Sequence, residues 1–200
     1  QHPDPGKLPD GAMDDQPYDM TAWTLPLQMG VEAVRIDDSF QASLATLETV
    51  EPLKGSLRSQ EGEVGFIVDP SPNNKVRLTN RLLDEGADVS WVSEQSGSNA
   101  DKLPPGALWI EGVEKDRFAA MISELGLEAS GLKRAPKSAR IRLRKPRVAL
   151  YRPFTASMDE GWTRYLLEDY EFSFSSVGNE DIRAGNLHDY WDAIILPGDR

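Results

Sequence analysis

The chain has 200 residues, of which 39% are hydrophobic and 28% are charged, and this composition suits one globular domain or two small ones. Its 33 acidic side chains outnumber its 22 basic ones, and the net charge of −11 argues against nucleic acid or an anionic membrane as a partner. Because the chain contains no cysteine, disulfides, thiolate nucleophiles and cysteine-ligated zinc are excluded.

Histidine chemistry is equally limited, because His2 and His188 are the only imidazoles. A zinc site takes three or four Cys, His, Asp or Glu ligands, and two histidines separated by nearly the whole chain do not predict one. The sequence around His188 places no nucleophile beside it, so we expect a surface residue there rather than a general base. The sequence therefore predicts no metal, no cofactor and no catalytic residue in this chain.

The N-terminal part is predicted to be an extended tail followed by a small β connector. Residues 1–40 begin rich in proline, glycine and aspartate, which is typical of extended chain, and the alternation of Val31–Ile36 predicts a strand. Residues 41–62 hold short strand-like pieces broken by Pro52 and Gly55, and these form the predicted connector.

A first βαβ unit is predicted over residues 63–135. Its strands are expected at Val64–Val68, Val89–Val92 and Ala107–Ile110, and Trp91 and Trp109 in the last two are expected to pack in the core. Ser71 is the predicted N-cap of the first helix, with Pro72 at the first helical position and Gly86 as the left-handed C-cap. A second helix begins near Glu114, and its core-facing stripe is predicted to contain Phe118, Met121, Ile122 and Leu125.

A second βαβ unit, residues 136–200, repeats this order at an offset of 84 residues. Val148–Tyr151 is a predicted strand, and Ser157 with Glu160 predicts a capping box in which each side chain bonds the other's backbone N–H. The helix that follows, Met158–Tyr170, is expected to turn inward Trp162, Tyr165, Leu166 and Tyr170. Later strands are expected at Phe172–Val177 and Ala193–Leu196. We expect this unit to continue past residue 200, because three strands and one long helix leave a sheet face uncovered.

A basic segment without acidic residues joins the two units. It contains Lys133, Arg134, Lys137, Arg140, Arg142, Arg144, Lys145 and Arg147. One interpretation is a surface for polyanions. The other is an exposed linker that enters a strand, which the period-two alternation of residues 140–144 favours.

Two segments resemble a known family. Tyr18–Val31 and Arg147–Arg164, the latter together with Asp192–Pro197, are similar to the region that follows the catalytic domain in large bacterial zinc carboxypeptidase-like proteins. In that family the metallopeptidase domain precedes a part that resembles class I glutamine amidotransferases. The resemblance covers most of residues 17–200.

The resemblance implies an α/β fold with one or two open, mostly parallel sheets of flavodoxin-like or amidotransferase-like type, built from two similar βαβ units. Residues 1–40 would then follow a catalytic domain. The zinc ligands of the family, a His-x-x-Glu pair and a later His, do not occur in this chain, and neither does the Cys nucleophile of an amidotransferase. Zinc is expected in the parent's catalytic domain only, and the resemblance implies a secreted or periplasmic protein.

Two functions follow as expectations. The first is a non-catalytic accessory region that packs on its own upstream peptidase domain, with Trp23 at the contact; membrane and nucleic acid are not expected as partners, and the oligomeric state is left open. The alternative is a module that binds a small molecule or anion where the strands end. The residues expected there are Asp69, Arg152, Thr155 and Asp199.

Overall fold

The computed structural model describes residue 29 and residues 32–46, 48–93 and 103–198. The chain divides into two units, residues 1–48 and residues 49–200. Within the first unit, the described residues form no helix or strand, and the side chains of Val34 and Ile36 are exposed. The strand predicted over Val31–Ile36 is therefore wrong for the part that the structure describes, since alternating apolar residues form a stable strand only with a partner and a covering layer.

The second unit contains a six-stranded sheet with the order β1-β5-β2-β4-β3-β6. Its strands are β1 (Ser56–Arg58), β2 (Gly65–Val68), β3 (Asp88–Val92), β4 (Leu108–Glu111), β5 (Glu128–Leu132) and β6 (Arg140–Arg142). Only β1 and β5 pair in parallel, and the other four neighbouring pairs in this sheet are antiparallel. Strand β1 lies within the predicted connector and extends the sheet at one edge.

Two helices pack on the six-stranded sheet, α1 (Lys75–Asp84) and α2 (Lys115–Leu125). The run β2-α1-β3-β4-α2-β5 folds with the strand order β5-β2-β4-β3. That is the split βαβ, or ferredoxin-like, arrangement, in which each helix crosses over one intervening strand. The first predicted unit is thus not a pair of adjacent parallel strands, because β4 lies between β2 and β3 and is antiparallel to both.

The core lies between the two helices and one face of this sheet. Phe66 of β2 stacks on Phe118 of α2 with ring centroids 4.6 Å apart. All four residues of the predicted α2 stripe are buried, as predicted from the periodicity. Around them the core includes Val68, Leu78, Leu82, Val89, Leu108, Ile110 and Ala129. Full burial of side chains of this size stabilises the fold by about 1.5–3 kcal/mol each.

The ends of the helices follow their sequence signals only in part. Helix α1 begins at Lys75, not after Ser71, because the Asp69 carboxylate accepts from the Ser71 N–H and residues 71–74 form a turn first. At its other end Gly86 has φ +79°, as predicted for a left-handed C-cap. Helix α2 begins after Glu114, whose carboxylate accepts two backbone N–H groups of the first turn.

A connection without a helix joins two distant strands of the six-stranded sheet. Strands β5 and β6 are separated by β2, β4 and β3, so residues 133–139 must cross the sheet to join them. The guanidinium of Arg140 lies 5.9 Å from the ring centroid of Trp109, which is fully buried. The strand indicated by the alternation of residues 140–144 is present as β6, over Arg140–Arg142.

A second sheet of three parallel strands has the order β8-β7-β9. The strands are β7 (Val148–Tyr151), β8 (Phe174–Val177) and β9 (Ala193–Ile195). Helix α3 (Met158–Asp169) joins β7 to β8, and the short helices α4 (Asn179–Ala184) and α5 (Leu187–Tyr190) join β8 to β9. Connections between parallel strands are right-handed as a rule, and these two run in opposite directions across the sheet, which puts α3 on one face and α4 with α5 on the other.

The prediction of an α/β fold is confirmed, with two separate sheets in the second unit. The expectation of mostly parallel strands holds for the β8-β7-β9 sheet and not for the six-stranded sheet. None of the described helices is long and apolar enough to cross a membrane.

Polar contacts join the two sheets through α1 and the C-terminal end of α3. Arg77 donates to the carbonyl and the carboxylate of Asp169, at 2.5 and 2.7 Å. The Asn80 amide donates to the Tyr170 carbonyl at 2.8 Å. Arg81 donates two hydrogen bonds of 2.7 Å to the two carboxylate oxygens of Glu171. Residues 77, 80 and 81 share one face of α1, so one turn of helix makes all of these contacts.

Electrostatics at this junction favour the charged forms of both partners. The hydrogen bonds from Arg81 lower the pKa of Glu171, and the same pairing raises the pKa of Arg81. Glu171 also has a left-handed backbone with φ 60°, a conformation that costs a non-glycine residue about 1–2 kcal/mol. The bidentate pair with Arg81 offsets this cost.

Arg81→Ala should destabilise the chain by about 1–2 kcal/mol at pH 7, because it removes a charge-assisted pair that is partly shielded from water. Since the pKa of Glu171 is lowered in the folded state, the pair stabilises above the unfolded carboxyl value of about 4.3, and its contribution is lost as the pH falls below that. Urea denaturation of both proteins between pH 7 and pH 3 measures this. Arg58→Ala, which breaks an exposed 3.6 Å pair with Glu128, is the control and should change stability by less than about 0.5 kcal/mol. Equal effects of the two substitutions would contradict the assignment.

Gly55→Ala should destabilise the chain by about 1–3 kcal/mol, since a Cβ there would lie well under 3.0 Å from the carbonyl oxygens of Ile122 and Leu127. Gly161→Ala in α3 meets nothing within 4 Å and should instead stabilise by about 0.5–1 kcal/mol through helix propensity. Thermal unfolding of the two variants gives the comparison. A stabilised Gly55→Ala variant would show that the backbone approach at this position is wrong.

Candidate functional site

A cleft of about 800 Å³ opens where β7 and β8 end. Carboxyl ends of parallel strands are the usual position of ligand sites in open α/β sheets. The cleft is lined by Arg152, Pro153, Phe154, Ala156, Ser157, Glu160, Ser176, Val177, Gly178, Asn179, Glu180, Asp181 and Arg183. Its walls are therefore the β7–α3 turn on one side and the start of α4 on the other.

Local sequence positions the β7–α3 wall. The Arg152 N–H donates to the Val177 carbonyl at 2.8 Å, so strands β7 and β8 stay paired one residue beyond the end of β7. The Ser157 hydroxyl accepts from the Glu160 N–H at 3.3 Å, as the capping box predicts. The other half of the box is wrong, because the Glu160 carboxylate accepts from Arg164 instead.

Of that pair, Glu160 lines the cleft, and Arg164 holds the Glu160 carboxylate in place. Arg164 donates to Glu160 at 2.5 Å and to the Ser176 hydroxyl at 2.8 Å. Its guanidinium also lies 5.4 Å from the ring centroid of Phe174. These contacts fix the position of Arg164. Its positive charge compensates the negative charge of Glu160, which is buried.

Two arginines of the cleft lack such a partner. Nine arginines between residues 49 and 198 have a carboxylate oxygen within 4.0 Å. Within the described part of this unit, Arg134, Arg152 and Arg183 have none, and the last two line the cleft. A guanidinium without a protein partner retains its planar fork of donors for a carboxylate or phosphate.

The acidic residues of the cleft limit its positive charge. Glu160 is paired, and the Asp181 carboxylate accepts from the Gly178 N–H at 2.7 Å, where it caps α4. Asp181 and Glu180 still carry negative charge beside Arg183. The cleft can thus accept an anion of low charge, but these carboxylates oppose a highly charged one.

An apolar groove of about 380 Å³ adjoins this cleft on the α4 face of the β8-β7-β9 sheet. Its lining is Tyr151, Asn179, Ile182, Arg183, Leu187, Ile194 and Leu196. The Tyr151 hydroxyl donates to the amide oxygen of Asn179 at 2.7 Å. The orientation of that amide is set by this bond, which leaves its NH₂ group to donate elsewhere.

The structure brings together few of the residues predicted for this site. Arg152 lines the cleft, whereas Thr155 is exposed on the same turn and does not line it. Asp69 follows β2 in the other sheet and caps the turn before α1, so it does not join Arg152. Asp199 and Trp23 lie outside the described residues.

Sequence reasoning missed Asn179 and Arg183. Both follow the predicted strand that ends at Val177, and the rule that sites form at strand ends applies to them as well as to Arg152. They were not identified because only the structure shows that β8 is the direct neighbour of β7.

The basic segment is largely neutralised by the protein itself. Its pairs are Arg140–Glu111, Arg142–Asp88, Arg144–Asp192, Lys145–Asp84 and Arg147–Asp192. The hydrogen bonds from Arg147 lower the pKa of Asp192 to about 2. These contacts oppose a polyanion surface and support the interpretation as a linker that enters β6.

Helix α3 presents apolar residues to solvent. Met158, Trp162, Tyr165 and Leu166 are each more than half exposed, and Trp162 contacts Tyr165 edge to face at 6.1 Å. The prediction that the last three face a core is wrong in the described structure, and Trp91, also expected in the core, is 46% exposed. Trp109 is buried as predicted.

Metal-ligating residues do not cluster in the described part of the chain, where no group of three His, Asp or Glu side chains is arranged to hold an ion. His188 is exposed on α5, and its Nε2 lies 2.9 Å from the neighbouring Asp189 carboxylate. Comparisons of the chain with protein-family models, with curated proteins and with solved structures found no match.

Proposed function

We propose that this chain is a non-catalytic accessory region of a zinc metallocarboxypeptidase-like hydrolase, and that it packs against the peptidase domain of that protein. The resemblance of Tyr18–Val31 and Arg147–Arg164 to the region after such domains supports the proposal. The second segment corresponds to β7, the turn beside the cleft and the first half of α3. In the parent, zinc would be held by the peptidase domain.

The fold type is part of this proposal. The order β8-β7-β9 is 2-1-3 in chain order, which is how a flavodoxin-like sheet begins. An amidotransferase-like part of the parent would share that order. We therefore assign the β8-β7-β9 sheet, and not the six-stranded sheet, to the flavodoxin-like type.

The observation that carries the packing role is the apolar stripe of α3, formed by Met158, Trp162, Tyr165 and Leu166. These positions follow i, i+4, i+7 and i+8, so they lie on one side of the helix. Contiguous exposed apolar surface marks interaction sites, and tryptophan and tyrosine are enriched where binding energy concentrates. A peptidase domain of the same polypeptide is the proposed partner of this stripe.

Trp162→Ser in the polypeptide that contains both regions should loosen their contact by about 1–3 kcal/mol, because it exposes the apolar surface of the partner. Limited proteolysis between the two regions and the Tm of the whole protein measure this. Ile141→Ser, which changes a similarly exposed apolar side chain on β6, is the control and should alter neither. Equal effects of both substitutions would contradict a specific contact at α3.

Two further results would contradict the accessory role. Zinc-dependent release of C-terminal residues from peptides by this chain alone is one of them. A natural reading frame without a His-x-x-Glu pair upstream of these residues is the other.

A second function is favoured by the two unpaired arginines. We propose, as the alternative, that the cleft at the ends of β7 and β8 binds a small anion through Arg152 and Arg183. The site would combine these guanidinium groups with the N-terminal end of α3.

Sodium acetate should raise the Tm of the chain above that in sodium chloride of equal ionic strength, and Arg152→Ala should abolish the difference, because binding to the folded state alone stabilises it. Arg134→Ala removes another unpaired arginine outside the cleft and should retain the difference. An identical response of all three proteins would contradict an anion site.

A further inference from the structure

The polar cleft and the apolar groove are neighbours that share two residues. Asn179 and Arg183 line both of them. A ligand held by Arg183 in the cleft therefore has direct access to the groove. Together the adjacent cleft and groove form a surface with a charged end and an apolar end.

The charged end suits a carboxylate. Arg152 and Arg183 have no carboxylate partner in the described structure, and the Asn179 amide is oriented by the Tyr151 hydroxyl so that its NH₂ group can donate. Glu180 and Asp181 line the same cleft and disfavour an anion with two or more charges. This balance favours a monoanion over a phosphate group.

The apolar end suits a hydrocarbon or aromatic group. Ile182 of α4 and Leu187 of α5 line the groove, together with Ile194 of β9 and Leu196, which follows that strand. A volume of about 380 Å³ lies within the range of sites that take small molecules. Burial of one phenyl or branched aliphatic group there would favour binding.

We propose that this surface binds one small monocarboxylate that carries an apolar group, with the carboxylate at Arg152 and Arg183 and the apolar group among Ile182, Leu187 and Ile194. This inference rests on the anion-binding function proposed above and adds the class of ligand. N-acylated apolar amino acids are the simplest compounds of this kind.

Titration of the ¹⁵N-labelled chain with N-acetyl-L-phenylalanine, followed by ¹H–¹⁵N NMR spectra, tests the ligand class. Saturable shifts at residues 178–183 are expected. The corresponding amide, which lacks the negative charge, should bind at least about tenfold more weakly, and so should acetate, which lacks the apolar group.

Two substitutions separate the two ends of the surface. Arg183→Ala should weaken N-acetyl-L-phenylalanine and acetate alike. Leu196→Ser, at a side chain that is 70% exposed and free to change without loss of core packing, should weaken N-acetyl-L-phenylalanine and leave acetate unchanged. Arg134→Ala is the control with the same loss of charge and should change neither.

The outcomes distinguish the inference from the function on which it rests. Equal affinities for acetate and N-acetyl-L-phenylalanine, both abolished by Arg152→Ala, would leave the anion site and overturn the ligand class. Absence of shifts at residues 178–183 with either compound would overturn both proposals. Equal binding of the amide and the acid would show an apolar site without recognition of the carboxylate, which also overturns the inference.

Discussion

The arrangement of the second unit depends on the ion pair between Arg81 and Glu171, with the neighbouring contacts from Arg77 and Asn80. Each sheet holds its own strands by backbone hydrogen bonds, but the described structure joins them through side chains of a single turn of α1. The guanidinium of Arg81 also lies 3.0 Å from Glu124 of α2, so Arg81 connects α1 both to α2 and to the residues that follow α3. Such polar contacts specify one geometry, because a small shift would leave partly shielded charged groups without their partners.

Pairing with acidic side chains also distinguishes the structural basic residues from those that are free to bind a ligand. The basic segment crosses the six-stranded sheet and ends beside β7, and acidic side chains along this path neutralise most of it. With a net charge of −11, the protein has more carboxylates than basic side chains, so acidic partners are available for the basic segment. Arginines that nevertheless remain unpaired are therefore informative, and Arg152 and Arg183 lie in the same cleft. The many positive charges of the basic segment therefore belong to a structural connection. The two arginines without a partner belong to the candidate site.

Prediction from the sequence succeeded where the signal was local. The α2 stripe, the left-handed Gly86, the Ser157 cap and β7 follow from spacing and residue type, since these features depend on neighbours within one turn. Prediction failed where a distant partner decides. The Glu160 carboxylate chose Arg164 over its capping role, and the apolar stripe of α3 lies exposed because periodicity identifies an apolar face without identifying what covers it. Asp69 and Arg152 both follow strands but belong to different sheets.

The sequence by itself determined the α/β class, most strands and helices, and the absence of cysteine chemistry, because composition and short-range periodicity carry that information. Only the tertiary structure decided strand order and direction, and these place the ligand-accessible residues. The two units differ in topology although their local sequence patterns are alike. In the first unit an antiparallel β4 lies between β2 and β3. Strand pairing is a contact between residues far apart in the chain. The type of each residue does not show which strand it will pair with. The cleft with Arg152, Asn179 and Arg183 can therefore be recognised only once β8 is known to lie beside β7.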